Sequence, residues 1–253
     1  MHRRAPSPGS LSVCMATYDG EAHVREQLES ILAQLGPEDE VVIVDDASTD
    51  GTLRVIETLG DARIRVERNA QNRGPIRTFE RALSLTRNEI IFFSDQDDVW
   101  LPGKVDAFRK AFASSGKSCV VSDATMTGPD LTPMIGFFEH KHSGPGPVKN
   151  FVKNTYLGAC MAISHRAKAW VLPFPRLIVQ HDEWIGISCD VVTGVHFLPE
   201  PLILYRRHAG TATSQERRLP LPVIARNRAK YLLAIAGRLP ALLRDQWEMG
   251  RRP

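Results

Sequence analysis

Residues 40–52 read EVVIVDDASTDGT. Val41, Val42, Ile43 and Val44 form an unbroken β-branched run, which predicts a strand covered on both faces. Asp45 and Asp46 close it. Ser48 is placed to cap a helix that carries Leu53, Ile56 and Leu59, with Gly51 near its start. A buried strand that ends in acid and turns at once into a helix is half of a β-α-β unit.

The same rhythm extends outward. Leu11–Ala16 (LSVCMA) predicts a buried strand, then a polar turn, then a helix within Ala22–Leu35 that Gly36-Pro37 stops. Ile64–Arg68 alternates as a third strand. Pro75 opens a helix with Ile76, Phe79, Leu83 and Leu85 on its apolar side. Glu89–Asp95 (EIIFFSD) is a fourth buried strand, again ending in acid, and Pro102 opens a helix to about Phe112. This alternation predicts an α/β fold: a Rossmann-like, mostly parallel central sheet with helices on both faces. Such sheets bind ligands at the carboxyl ends of their strands. Thr17, Asp45, Asp46, Asp95 and Asp97 collect there.

Beyond Cys119 the pattern changes. Cys119–Met126 and Leu157–Ser164 read as strands, Val179–Val192 as a helix, and residues 195–208 as extended chain. Residues 127–147 are rich in Gly, Pro and His and long for a structureless loop. This second half is read as a subdomain completing the site.

The chain has 253 residues, 43% hydrophobic and 24% charged, which excludes a disordered or collagen-like polymer. No apolar run approaches the roughly 18 residues of a membrane span. The basic opening MHRRAPSPGS has no apolar core, so no secretory leader is expected, and residues 1–10 are expected to form a flexible tail. Four cysteines lie far apart without a CxxC, predicting reduced thiols and a cytoplasmic location. From Ser214 onward nine Arg or Lys face three acids, a balance of +6, leaving −3 on residues 1–213 out of a total of +3. That extension, interrupted by Pro240, reads either as amphipathic helix resting on an anionic membrane or as helix packed on the preceding domain. Nucleic acid is excluded as a partner, because the crevice is acidic and the basic residues lie in the tail.

Ser94-Asp95-Gln96-Asp97-Asp98 places three carboxylates within four residues. They repel one another unless a cation neutralises them, and Mg²⁺ or Mn²⁺ would share coordination with a diphosphate. The bland alternative is a solvated turn with Asp98 capping the next helix. Asp45-Asp46 reads either as a turn or as carboxylates for a base or sugar. In His181-Asp182-Glu183-Trp184 the Asp suits a general base of raised pKa, or a helix cap beside a packed Trp. In Tyr205-Arg206-Arg207-His208 the His suits a metal and the arginines a phosphate, or all are structural. There is no GxGxxG after the first strand and no GxxxxGK[ST], which argues against dinucleotide-cofactor and P-loop readings.

Taken together, ATYDGEAHVREQLESILAQ, VVIVDDASTDGT, RTFERAL, FFSDQDDVWLPGK, HDEW and YRRH occur in the order seen in family 2 glycosyltransferases with the GT-A fold. The chain resembles their bacterial rhamnosyltransferase-like branch over about residues 11–213. The resemblance implies a donor half (11–115), an acceptor half (116–213) and a helical extension (214–253). It implies inverting transfer from a nucleotide-diphosphate sugar, dTDP-rhamnose or a UDP-sugar, to a glycan or lipid-linked acceptor in cell-surface polysaccharide synthesis. A divalent cation, Mn²⁺ or Mg²⁺, would assist, and the membrane contact would be peripheral. Thr17, Tyr18, Asp45, Asp46, Asp95 and Gln96 match the nucleotide-sugar site. Asp97 and His208 match the metal site and Asp182 the base; Trp184 itself suits either an acceptor wall, where sugar C–H faces pack on an aromatic ring, or core packing. Asp19, Ala47 and Arg77 depart from the family pattern, which has Asn, Gly and Lys there. Two rivals remain at this stage: a nucleotidyltransferase, and a non-catalytic nucleotide-sugar or carbohydrate-binding module with a decayed site.

Overall fold

The computed structural model describes residues 9–208 and 220–249. Most of the expected flexible tail, and residues 214–219 and 250–253 of the extension, lie outside the described residues. The elements in order are β1 (Leu11–Thr17), α1 (Val24–Leu32), β2 (Glu40–Asp45), α2 (Thr52–Glu57), β3 (Ile64–Arg68), α3 (Pro75–Leu85), β4 (Ile90–Ser94), β5 (Val99–Trp100) and α4 (Lys104–Ser115). Then follow β6 (Cys119–Thr127), β7 (Pro133–Gly136), α5 (Phe137–Lys141), α6 (Pro147–Val152), β8 (Met161–Ser164), α7 (Lys168–Val171), α8 (His181–Val192), β9 (Val195–Arg206) and α9 (Leu221–Met249).

The described strands form one sheet in the order β3-β2-β1-β4-β8-β6-β9-β5, with β7 on the side of β6. The first four strands of that order are parallel. β8 runs against both β4 and β6, and β9 returns parallel to β6. Thr17 pairs with Asp45, and Met15 with Ser94, so β1, β2 and β4 end at one edge. Thr127 pairs with Arg206, which carries the end of β9 to the cluster after β4. β1, β2 and β4 are almost wholly buried, as their uninterrupted apolar runs require, and one core unites both halves. All four cysteines are free and buried.

Several local expectations are corrected. The helix after β2 starts at Thr52 with Gly51 as its N-cap, because Ser48 turns its hydroxyl back onto Asp45. Asp98 caps no helix: it is buried, and Gly103 precedes α4. Residues 127–147 are not structureless, since they hold β7 and α5, and Phe138 N–H is anchored on Asp123. Over its described residues the extension is a single helix, Leu221–Met249, through Pro240, whose ring and the preceding turn at Ala236 both face solvent, where water can take the freed carbonyl. α9 packs against α8 through buried Tyr231, Ala234 and Leu242. Among the described residues no helix is long and apolar enough to cross a membrane.

Candidate active site

The carboxyl edge of the sheet opens on a cavity of about 430 Å³. Thr17, Tyr18, Asp46, Asp95, Gln96 and Asp97 line it from one half. Gly158, His181, Asp182 and Tyr205 line it from the other.

The chain leaves buried β4 straight into the acidic cluster. Burial, with Asp97 and Asp182 nearby, raises the Asp95 pKa to about 7. Asp97 Oδ2 lies 2.9 Å from His208 Nε2, and the His208 ring sits 5.0 Å from that of His23. Asp98 accepts the Arg206 N–H at 3.0 Å and leaves Oδ2 unpartnered; burial, then the charges of Asp97 and Asp95, push its pKa well up. The Arg206 side chain is buried and already engaged. Its Nε donates to Asp97 O at 2.7 Å, and its guanidinium also reaches Pro129 O and Glu26. It is therefore not the phosphate partner that its place beside His208 suggests.

The first loop is fixed by Gln96. Its Oε1 accepts Tyr18 N–H at 2.8 Å and its Nε2 donates to Tyr18 O at 2.9 Å. A Cβ on Gly20 would lie 2.3 Å from Gln96 Oε1, so only glycine fits under this clasp. The Tyr18 side chain stays 45% exposed at the cavity rim. Thr17 donates its hydroxyl to Asp45.

Asp45 itself is fully buried and does not line the cavity. Its carboxylate accepts from Thr17, Ser48 N–H and the Ser48 hydroxyl, which corrects its expected nucleotide contact: it shapes the turn. Asp46 does reach the cavity. It accepts from Asn69, and from Arg73 and Gly74 N–H at 2.9 and 2.8 Å, holding that loop at the rim. Asp19 accepts the Thr49 N–H at 2.7 Å and does not line the cavity.

Across the cavity, Asp182 stands in the first turn of α8. It accepts Glu183 N–H at 2.7 Å, Asn154 Nδ2 at 3.4 Å, and the Gly158 N–H. Those donors favour the ionised form, but burial outweighs them and lifts its pKa to about 7. His181 stacks on Phe79 with ring centroids 4.2 Å apart, and burial lowers its pKa to about 4, leaving it neutral. Trp184 does not reach the cavity. It is fully buried and donates Nε1–H to Val171 O, so its expected place in the acceptor wall gives way to core packing.

The family profile described as "Glycosyl transferase family 2" matches residues 12–168, from the first strand through the acidic cluster to β8 and beyond. The chain belongs to that family. This family 2 chain is 26% identical over 183 residues to TuaG of Bacillus subtilis (strain 168), a glycosyltransferase named for teichuronic acid biosynthesis, covering 70% of this chain and 71% of TuaG. It is 32% identical over 116 residues to the dTDP-rhamnosyl transferase RfbG of Shigella flexneri, covering 43% of this chain and 40% of RfbG. Its fold matches S. aureus TarS 1–349 in complex with UDP-GlcNAc, with TM-score 0.68 and 19% identity, over 88% of this chain and 66% of that one. It also matches the mannosyltransferase PcManGT from Pyrobaculum calidifontis in complex with GDP-Man and Mn²⁺, with TM-score 0.58 and 17% identity, over 94% of this chain and 78% of that one. These two structures give the family 2 chain its GT-A fold. Sequence reasoning missed Asn154 and Gly158, which hold Asp182, and the Arg206 clamp. Asn154 lies in irregular chain and Gly158 opens a single 3-10 turn, neither within a motif, and an Arg beside a His looks the same whether it grips a phosphate or a carbonyl.

Proposed function

We propose that this glycosyltransferase moves a sugar, with inversion, from a nucleoside-diphosphate donor to a hydroxyl of a glycan or lipid-linked acceptor in cell-surface polysaccharide synthesis. One observation carries this reading: Asp95 and Asp97 face Asp182 across a single cavity. The first pair suits a donor diphosphate and its ribose, and the last suits an acceptor hydroxyl. Residues 11–115 form the donor half and residues 116–213 the acceptor half. The TuaG name supports the polysaccharide assignment. RfbG supports dTDP-rhamnose as donor and TarS supports a UDP-sugar.

The residues fit a divalent cation. Burial first, and then the charges of Asp97 and Asp182, raise Asp95 to about 7, and a cation would relieve the repulsive part. Among the described residues no cluster of three metal-ligating side chains forms. Asp97 and His208 would hold Mn²⁺ or Mg²⁺, with donor phosphates and water completing the shell. When bound, the cation stabilises charge on the departing diphosphate.

The remaining chemistry belongs to the chain. The rim loop offers Tyr18 as a face for the base and Asp46 as a carboxylate beside it, and Asp95 meets the ribose. Gln96 acts by holding the Tyr18 backbone. Fixing the donor lowers the entropic cost of attack. Asp182 accepts the acceptor hydroxyl proton while that oxygen bonds to the anomeric carbon. The bond to the leaving diphosphate breaks on the opposite face, which inverts the centre. Asn154 and Gly158 keep Asp182 aimed, and His181, whose basicity burial lowers, does not compete for the proton.

The test is a thermal-shift titration with UDP, dTDP, GDP, ADP and CDP, with and without Mn²⁺. Binding raises the melting temperature by mass action. A cation-dependent rise with one nucleotide, abolished in Asp97→Ala, is expected. No rise with any nucleotide would remove the donor reading.

A further inference from the structure

We infer that the outward face of α9, continued by α6, is a docking surface for an anionic lipid bilayer. The inner face of α9 is fully accounted for. Tyr231 is buried, and its hydroxyl accepts Gln180 N–H at 3.0 Å and donates to Gln180 O at 2.8 Å. Arg228 pairs with buried Glu183, and Arg238 donates to the carbonyls of Leu172 and Pro173. The opposite face has no such partners to explain it. Leu232, Leu233 and Leu243 are 55%, 66% and 48% exposed. Helical spacing puts Arg226, Lys230 and Arg244 alongside them.

Charge decides the occupant. Residues 221–244 contain five basic side chains and no acid, and two of the five, Arg228 and Arg238, are the ones held inward. Three cations therefore border the exposed leucines, and the helix's two acids, Asp245 and Glu248, follow only after Arg244. α6 repeats the composition. Val148 and Val152 are 75% and 66% exposed, Lys149 and Lys153 lie next to them in sequence, and the helix has no acid. The two helices meet where the Arg228 guanidinium stands 5.6 Å from the Phe151 ring. A face of large apolar residues bordered by cations only is what an interfacial helix presents to acidic headgroups. A protein partner of ordinary mixed charge gives no reason for keeping every acid out of residues 221–244.

The placement has a consequence for the acceptor. Gln180, held by Tyr231, is the N-cap of α8 and stands two residues before Asp182. Lipid binding on the outer face of α9 thus sits one helix away from the proposed base, where a lipid-linked acceptor has to arrive. That consequence rests on the proposed acceptor class, whereas the docking surface does not.

The experiment is vesicle flotation of the full chain, without substrate, on phosphatidylcholine alone and on phosphatidylcholine with 30% phosphatidylglycerol as an about one-third anionic probe. The three outward cations predict partition about a hundredfold stronger onto the anionic vesicles, at roughly fivefold per basic side chain, and weaker as salt rises. Leu232→Glu with Leu233→Glu, and separately Arg226→Glu with Lys230→Glu, should each abolish flotation. The melting temperature and nucleotide-induced shift should stay unchanged, because neither pair touches the cavity or the packed face. Failure of the full chain to float, or flotation of either variant equal to that of the full chain, overturns the inference. So does a dimer in sedimentation that the leucine pair dissociates, since the face would then belong to a second copy. Turnover is not read, so a wrong base assignment and a wrong docking surface give separate signals.

Discussion

Ala47 has φ +66°, where a Cβ crowds the following carbonyl at a cost of about 1–2 kcal/mol. The family pattern has glycine at this position. The conformation persists because Asp45 grips Ser48 on one side while Asp46 grips Asn69 and Gly74 on the other. Ala47→Gly should therefore raise stability by about 1 kcal/mol in urea unfolding with an unchanged m-value. A loss would mean that the methyl makes a compensating contact. Asp182 sets the pH response. With its pKa lifted to about 7, its base form fills as pH rises, so kcat/KM should climb through about pH 7 and then level. Stability runs the other way. Between about pH 4 and 7 the folded state keeps a proton that the unfolded chain has lost, so this residue's contribution falls as pH rises through 7. Asp182→Asn should flatten that part of the melting-temperature profile. At this scale the sequence allowed two readings of most motifs. Trp184 two residues after Asp182 reads equally as wall or core, and the two adjacent acids of Asp45-Asp46 carry no mark of which one faces the ligand.

The end of β9 works as a clamp. Arg206 joins the acidic loop, residue 129 and α1 through Asp97 O, Pro129 O and Glu26. Lysine keeps the charge but cannot reach all three acceptors. Arg206→Lys should cost about 1–3 kcal/mol, the penalty for leaving a buried carbonyl unpaired. It should also weaken cation-dependent nucleotide binding more than cation-free binding, because Asp97 loses its support. Equal weakening of both would assign Arg206 to the fold alone. Gly158 governs the opposite wall. A Cβ there would lie 2.9 Å from His181 Nε2, so Gly158→Ala should lower kcat while leaving donor affinity intact. Elements were legible where burial leaves a strong imprint. β2 and β4 show it as unbroken β-branched and aromatic runs, and Pro75 as the first residue of α3. β7 left no imprint, since a short, largely exposed strand at the sheet margin needs no alternation.

Over the whole molecule, one reversed strand matters most. β8 runs against both β4 and β6 and so joins the parallel donor strands to the β6–β9 pair within one sheet and one core. No sequence period records that reversal, because β8 is mostly buried and pairs through backbone hydrogen bonds that leave no side-chain mark of direction. Its result is that Asp95 and Asp97 arrive from one half and Asp182 from the other around one cavity, with His208, beyond the end of β9, against Asp97. The central claim is that the donor is held by the first half and the acceptor is deprotonated by the second. Asp182→Asn tests it most directly, measured for cation-dependent nucleoside-diphosphate binding and for sugar transfer in the same preparation. Unchanged nucleotide affinity with turnover lower by about a hundredfold or more is the predicted result. Full turnover would contradict the claim, and so would a loss of nucleotide binding equal to the loss of activity.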